Sequence, residues 1–412
     1  MTKLSLCTIV KDEEASLSKC LESVKDVVDE IIILDTGSTD KTVEIAKGFG
    51  ANIADFTWCD DFSAARNEAL KYVQGEWVLV LDADEVLNAE ILPHIQQLMA
   101  DENHLVINLI RQEVGAAQSP YSLTSRLFRN HPDIKFSHPY HALIDDSAIK
   151  ILKQEPHWKI VDIPAIAIFH YGYQPTTIQA LDKVNRAKQS MEKFLAEHPE
   201  DPYTCSKLGG LYLQIGQEKA GIKLLKRGLK TNLADAHVLY ELHYHLANFY
   251  VQQQQFQRAA KHYQKAVEQP ILQQLKLGAY NNFGSLFETI GNLDRARELY
   301  QFALNIDPTF AVGHYNLGKV LKAKGQLKAA ISAYQQAIKY DPNYAPAYQN
   351  LGLLYLRTGN LPASAITLQR AVSLYDSQNP EQAERLRQGL ADLAILGDGP
   401  TDSPASASNP QS

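Results

Sequence analysis

Cysteine is scarce: four residues in 412, at positions 7, 20, 59 and 205, with no Cys-x-x-Cys pair among them. So few thiols at such spacings form neither a disulfide framework nor a zinc site, and they are expected to be reduced and mostly buried. Long apolar runs are absent too. Nothing approaches the roughly 18 residues of a membrane span, and the first ten residues, Met1 to Val10, are too short and too interrupted for the apolar region of a signal peptide. The expectation is a cytoplasmic chain with no integral membrane segment. A basic stripe is also lacking. Up to Gln174 there are 15 Lys+Arg against 27 Asp+Glu, a balance of −12, and beyond it 25 against 20, or +5. A nucleic-acid groove needs clustered cations, so no nucleic-acid partner is expected, and the later excess reads as alternating charges on solvated helix faces. Glycine is missing where cofactor folds need it. The first loop, Val10-Lys11-Asp12-Glu13-Glu14, has charges in place of Rossmann glycines, and no Gly-x-x-x-x-Gly-Lys follows a strand.

What is present falls into two periods. At 412 residues with 45% hydrophobic content, the chain has material for about two or three ordinary soluble domains. From residue 1 to 174, short apolar runs (Leu4 to Val10, Glu30 to Leu34, Ala51 to Phe56, Trp77 to Leu81, Leu105 to Ile110) alternate with amphipathic segments (Glu14 to Val27, Thr39 to Lys47, Ser63 to Tyr72, Asn88 to Met99). That alternation predicts an α/β domain with a mostly parallel sheet, loosening after Arg111 into shorter strands and loops. Residues 175–201 read as a charged amphipathic linking helix, so the halves are expected to pack together.

From 202 to 376 the sequence repeats itself. Gly209, Ala247, Gly284, Gly318 and Gly352 are equivalent, at spacings of 38, 37, 34 and 34. In the clearest unit Phe283, Gly284, Ala296, Tyr300 and Pro308 recur as Leu317, Gly318, Ala330, Tyr334 and Pro342. This resembles the tetratricopeptide repeat (TPR), about five units of it. Small residues let two antiparallel helices approach, aromatics fill the space between them, and proline stops the second helix. An all-α solenoid follows, its aromatics serving as core, with a C-terminal helix over 377–396. The tail 397–412, rich in Gly, Pro, Ser and Asp, is expected to be disordered.

The chemistry is expected in the first half. Leu81-Asp82-Ala83-Asp84 closes an apolar strand with two carboxylates one residue apart, which invites a hard divalent cation, Mg²⁺ or Mn²⁺, and with it a substrate carrying phosphates. Asp35 stands at the carboxyl end of the second strand, where open α/β sheets bind ligands, and could accept the N–H of a base. Ser38 or Thr39 reads as a helix cap, Asp40, Glu13 and Glu14 as dipole partners. Arg66, near the start of the third helix, could hold phosphate beside the free N–H groups there.

The order of these features resembles family 2 of the nucleotide-sugar glycosyltransferases, which have the GT-A fold. The resemblance covers residues 1–174 and rests on Lys11 to Glu14, Asp35 to Asp40, Asp61-Phe62 with Arg66-Asn67, Leu81 to Glu85, Arg126 to Asn130, and His170 to Tyr173. It implies a nucleotide-diphosphate sugar donor, with Asp35 on the base, Asp82 on the ribose, Asp84 on the metal, Arg126 beside the donor, and His170 on the metal or diphosphate. There are two departures: Asp12 stands where the pattern has Asn, and His141-Ala142 where it has His-Glu, removing an acid that could act as base. His141, Asp145 and Asp146 are the nearby substitutes. The leading expectation is an inverting transferase whose acceptor, a protein or peptide, is held by the TPR groove at an effective concentration up to the millimolar range. The alternatives are a TPR interaction protein with a degenerate transferase domain, favoured by Ala142, and a nucleotidyltransferase, which should carry a Gly-rich basic first loop that this chain lacks.

Overall fold

The computed structural model describes residues 3–116, 120–172 and 177–392, without the side chains of 177–183 and 392. Tyr173, Gln174, the end of the expected C-terminal helix and the expected disordered tail lie outside the described residues. The strands are β1 (Leu4–Val10), β2 (Glu30–Asp35), β3 (Asn52–Asp55), β4 (Trp77–Val80), β5 (Glu85–Leu87), β6 (His104–Glu113), β7 (Tyr121–Arg129) and β8 (Lys159–His170). They form one eight-stranded sheet in the order β3-β2-β1-β4-β7-β6-β8-β5. The β3-β2-β1-β4 half and the β6-β8 pair are parallel; β7 is antiparallel to both neighbours and β5 to β8.

Helices α1 (Leu17–Val24), α2 (Thr42–Gly48), α3 (Phe62–Leu70), α4 (Leu92–Met99) and α5 (Asp145–Gln154) complete this region. β1, β2 and β4 are buried almost throughout, so they read as near-continuous apolar runs and do not alternate. Side chains on β1 and β4 divide by the period of two: Leu6 and Leu79 enter one core, Cys7, Val78 and Val80 the other. Cys7, Cys20 and Cys205 are buried and Cys59 is exposed. The expected loosening after Arg111 is not found, since β6, β7 and β8 are the longest strands. Polar side chains on the site-facing surface, such as Arg111 and Arg126, broke the apolar pattern that would have revealed them.

Helix α6 (Thr177–Glu197) leads to the repeats: α7 (Pro202–Gln214), α8 (Glu218–Gly228), α9 (Ala236–Gln252), α10 (Phe256–Val267), α11 (Leu277–Thr289), α12 (Leu293–Ile306), α13 (Ala311–Ala323), α14 (Leu327–Tyr340), α15 (Ala345–Arg357), α16 (Leu361–Gln378) and the closing α17 (Pro380–Asp392). A Cβ on Gly284 would lie 2.7 Å from the Tyr300 ring, on Gly318 2.6 Å from Tyr334, and on Gly352 2.5 Å from Leu368. The glycines repeat because each helix pair closes on a large side chain there. The chain divides into two compact units after Asn282, inside α11. The first unit therefore includes the first repeats. Within it, Tyr140 packs with Met191, Leu195 and Leu208, Tyr121 and Leu123 pack with Tyr240 and Ile271, and Gln274 donates to the Pro164 carbonyl at 2.9 Å.

Candidate active site

The loops after β1 and β2 are stitched together. Asp12 adopts φ +54°, a conformation open to Asp and Asn, and its Oδ1 accepts the Thr39 N–H at 2.7 Å. An asparagine could make the same bond through its own Oδ1, so this departure from the family pattern costs the loop nothing. Asp35 is buried and accepts from the Gly37 and Ser38 N–H groups and, at 2.5 Å, from the Ser38 hydroxyl. Both of its carboxylate oxygens are thus engaged by its own turn. Ser38 and Thr39 do not cap α2, which starts later, at Thr42, with Asp40 accepting the Thr42 N–H at 2.9 Å. Likewise Glu14 is not in the first turn of α1; it accepts the Lys41 N–H at 3.1 Å.

Arg66 also departs from expectation. Asp61 caps α3, accepting from Ser63 and Ala64, so the helix start has its own anion, and Arg66 turns inward to Asp82 at 2.7 Å. Asn67 clamps Phe136, donating to its carbonyl and accepting its N–H. From Arg66 a chain of alternating charges crosses the sheet. Asp82 meets Arg126 at 3.0 Å, Arg126 meets the fully buried Glu85 at 3.4 Å, Glu85 meets Arg111 at 2.9 Å, and Arg111 meets Glu113 at 2.8 Å. Burial opposes the Asp82 charge, but Arg126 and Arg66 outweigh it and hold the carboxyl well below the usual range. Burial likewise opposes the charge on Arg126, and Asp82 and Glu85 reverse the balance and raise its pKa.

The chain ends at His170. Its Nδ1 lies 2.5 Å from Glu113 Oε2 and its Nε2 3.2 Å from Asp84 Oδ2. Burial lowers the imidazole pKa, yet the hydrogen bonds and charges of Asp84 and Glu113 lift it to about 9. Gly172 closes this corner: a Cβ there would lie 2.3 Å from Asp84 Oδ2. A carboxylate oxygen and an imidazole nitrogen face each other here, the imidazole backed by a second carboxylate. Among the described residues no group of three or more His, Cys, Asp or Glu gathers for a metal. A hard cation held by one or two protein groups, with water and substrate phosphate as its other ligands, fits such a pair. Glu113 and Arg111 were missed in the sequence. Their spacing of two at the end of an apolar run puts both on one face of β6 and was the available signal.

Arg126 and Arg111 also line a cavity of about 1080 Å³. It is lined by residues of β7, the 137–146 loop and the start of α5 together with the end of α6 and helices α7 and α9 of the first repeats. His141, Ala142, Asp145 and Asp146 all line it. Asp145 and Asp146 open a helix and are not in a loop. Asp145 accepts from Ser125 at 3.1 Å while its Oδ2 is shut away from solvent, and burial raises its pKa. Asp146 is exposed and accepts from Ser137 at 2.6 Å. His141, at φ +56°, is exposed and lines the cavity, and desolvation, then the charge of Lys207, lower its pKa.

A mixed sheet with a parallel β3-β2-β1-β4 half, carrying this acidic corner at its strand ends, has the architecture expected of a GT-A transferase domain. The comparisons agree. The glycosyl transferase family 2 profile matches residues 5–161, and tetratricopeptide repeat profiles match 240–269, 284–325, 318–359 and 345–378. A TPR repeat-containing protein of Synechococcus elongatus is 46% identical over 75% of this chain and 76% of its own. The prophage-derived glycosyltransferase SunS of Bacillus subtilis is 30% identical over 54% of this chain, a match that spans about half, 52%, of SunS. An uncharacterized glycosyltransferase of Rickettsia typhi is 31% identical over 45% of this chain and 65% of its own. Among solved structures, YrrB, described as a TPR protein with an unusual peptide-binding site, overlaps 49% of this chain at 18% identity and a TM-score of 0.39. The chain belongs to the proteins that join a family 2 glycosyltransferase domain to tetratricopeptide repeats.

Proposed function

We propose that this transferase moves a sugar, with inversion, from a nucleotide-diphosphate sugar to a hydroxyl of a protein or peptide acceptor. The observation that carries the reading is the Asp84–His170–Glu113 corner set beside an Asp82 fixed by two arginines. Asp82 uses one lone pair of each oxygen on Arg66 and Arg126, leaving acceptor capacity for ribose hydroxyls. Asp84 and His170 would hold a divalent cation, Mg²⁺ or Mn²⁺, which when bound supplies Lewis-acid stabilisation of the leaving diphosphate. Arg126 and Arg111 add fixed positive charge on the side where the cavity opens, and fixed charges of this kind stabilise developing negative charge without reorganisation. The sugar passes through an oxocarbenium-like state as the bond to the diphosphate lengthens. The cavity beyond is the acceptor end, and its repeat-built wall makes a polypeptide the fitting acceptor.

The test is the full chain with UDP-glucose, GDP-mannose and UDP-N-acetylglucosamine, Mn²⁺, and water as acceptor, followed by proton NMR. Release of the sugar with the anomeric configuration opposite to the donor's is expected; release with retained configuration contradicts the displacement. The interaction-protein reading draws on Ala142 alone. It predicts no release from any donor.

A further inference from the structure

Ala142, at the position of the family's acid, lines the cavity. Glu241, on α9, lines the same cavity. Its Oε1 takes a hydrogen bond from Lys207 Nζ at 2.6 Å and its Oε2 one from the Ser206 hydroxyl at 3.3 Å, both donors on α7. Its side chain keeps 31% of its exposure, so lone pairs remain for a ligand. The 137–143 loop reaches the same helix, with the Tyr203 hydroxyl donating to the His141 carbonyl at 3.4 Å. Glu241, Lys207, Arg111, Arg126 and His141 all line this one cavity, so the repeat-borne pair and the arginines of the donor network border the same space. Of the two acids that open α5, Asp145 has its Oδ2 shut away from solvent and Asp146 accepts from Ser137 through Oδ2.

Resting on the transferase reading above, we infer that Glu241, a residue of the repeats, is the carboxylate that receives the acceptor's proton, so that the first repeats complete the active site. As the acceptor oxygen bonds to the anomeric carbon, the bond from that carbon to the diphosphate breaks and its electron pair leaves with the diphosphate. The O–H proton passes to Glu241. Burial works against the Glu241 charge, but Lys207 and then His245 lower its pKa and keep it ionised at neutral pH. Such a carboxylate is a weak base, and a weak one suffices late in the reaction. A hydroxyl already bonded to an oxocarbenium-like carbon has become strongly acidic.

The experiment measures donor hydrolysis by the full chain, with water as acceptor, across pH. Facing Glu241 are Lys207, Ser206 and Tyr203 of α7, His245 and Tyr240 of α9, and His141 of the loop. Glu241→Gln should lower kcat about 10²- to 10⁴-fold for whichever donor the wild type cleaves, with KM for that donor within about twofold. Lys207→Met should move the acid limb of the kcat profile to higher pH, because the cation that favours the carboxylate is gone. A Glu241→Gln enzyme with wild-type kcat and acid limb overturns the assignment. So does a kcat loss whose acid limb Lys207→Met leaves in place, since that marks a structural role. Wild type that binds no nucleotide and cleaves no donor is a different failure and overturns the transferase reading itself.

Discussion

Around Glu85 the sheet region buries charge: four carboxylates alternate with three arginines and His170 across neighbouring strands. Around Gly318 the repeats bury shape, a missing side chain filled by the ring of Tyr334. The difference teaches what each region can tolerate. A charge chain is held by partners, and removing one strands the next in low dielectric, whereas a packed helix pair responds to volume. Chemistry belongs to the first kind of interior because only it keeps ionised groups oriented while partly dry. Glu241 and Lys207 are where the second region adopts the habit of the first.

The comparison is broken most severely at Asp84. Asp84→Asn keeps the volume and removes the charge, and turnover of any donor should fall about 10²- to 10³-fold in steady-state hydrolysis, the usual scale for one lost electrostatic contact to a transition state. Next is Glu85→Ala, which leaves Arg126 and Arg111 short of a buried partner. Unfolding in urea should show a loss of about 3–5 kcal/mol. In the repeats, Gly318→Ala forces a methyl against Tyr334, an overpacking of about 1–3 kcal/mol set against about 1 kcal/mol of helix propensity. Net destabilisation is expected, while Gly389→Ala in α17, with open space around it, should gain about 0.5–1 kcal/mol. If both glycines respond alike, shape does not explain the repeat.

The smallest effect concerns pH. His243 and His262 meet at 2.9 Å between α9 and α10, and burial, then neighbouring positive charge, lowers each to about 4. Their neutral forms suit the fold, so the unfolded chain takes up protons first as pH drops. Their contribution is intact above about pH 6.5, the usual histidine value, and is lost as pH falls from there to about 4. The thermal midpoint should decline over that window, and His243→Phe should flatten the decline; an unchanged slope contradicts the assignment.

The acids at the ends of β2 and β4 were legible because apolar runs stop at them, and the repeats were legible because Gly and Tyr recur at fixed spacing. The rest was set by partners far along the chain. His170 and Glu113 are 57 residues apart, and Arg66 and Asp82, though only 16 apart, sit on different elements. No local pattern announces such pairs. Asp35 shows the reverse: its position at a strand end was readable, but the claim of its own turn on both oxygens was not. The repeat-built wall of the cavity was invisible for the same reason, since Glu241 reads in sequence as one more polar residue on a helix.

The central claim, that Asp84 and His170 form a divalent-ion and diphosphate site beside Asp82, is tested most directly by thermal unfolding of the full chain with UDP or GDP, with and without Mn²⁺. The account predicts Mn²⁺-dependent stabilisation by one of the two nucleotides, about 2.7 kcal/mol at 100 times its Kd, and its loss in Asp84→Asn. Equal midpoints with and without Mn²⁺ and both nucleotides, or an Asp84→Asn chain stabilised as well as wild type, would contradict it.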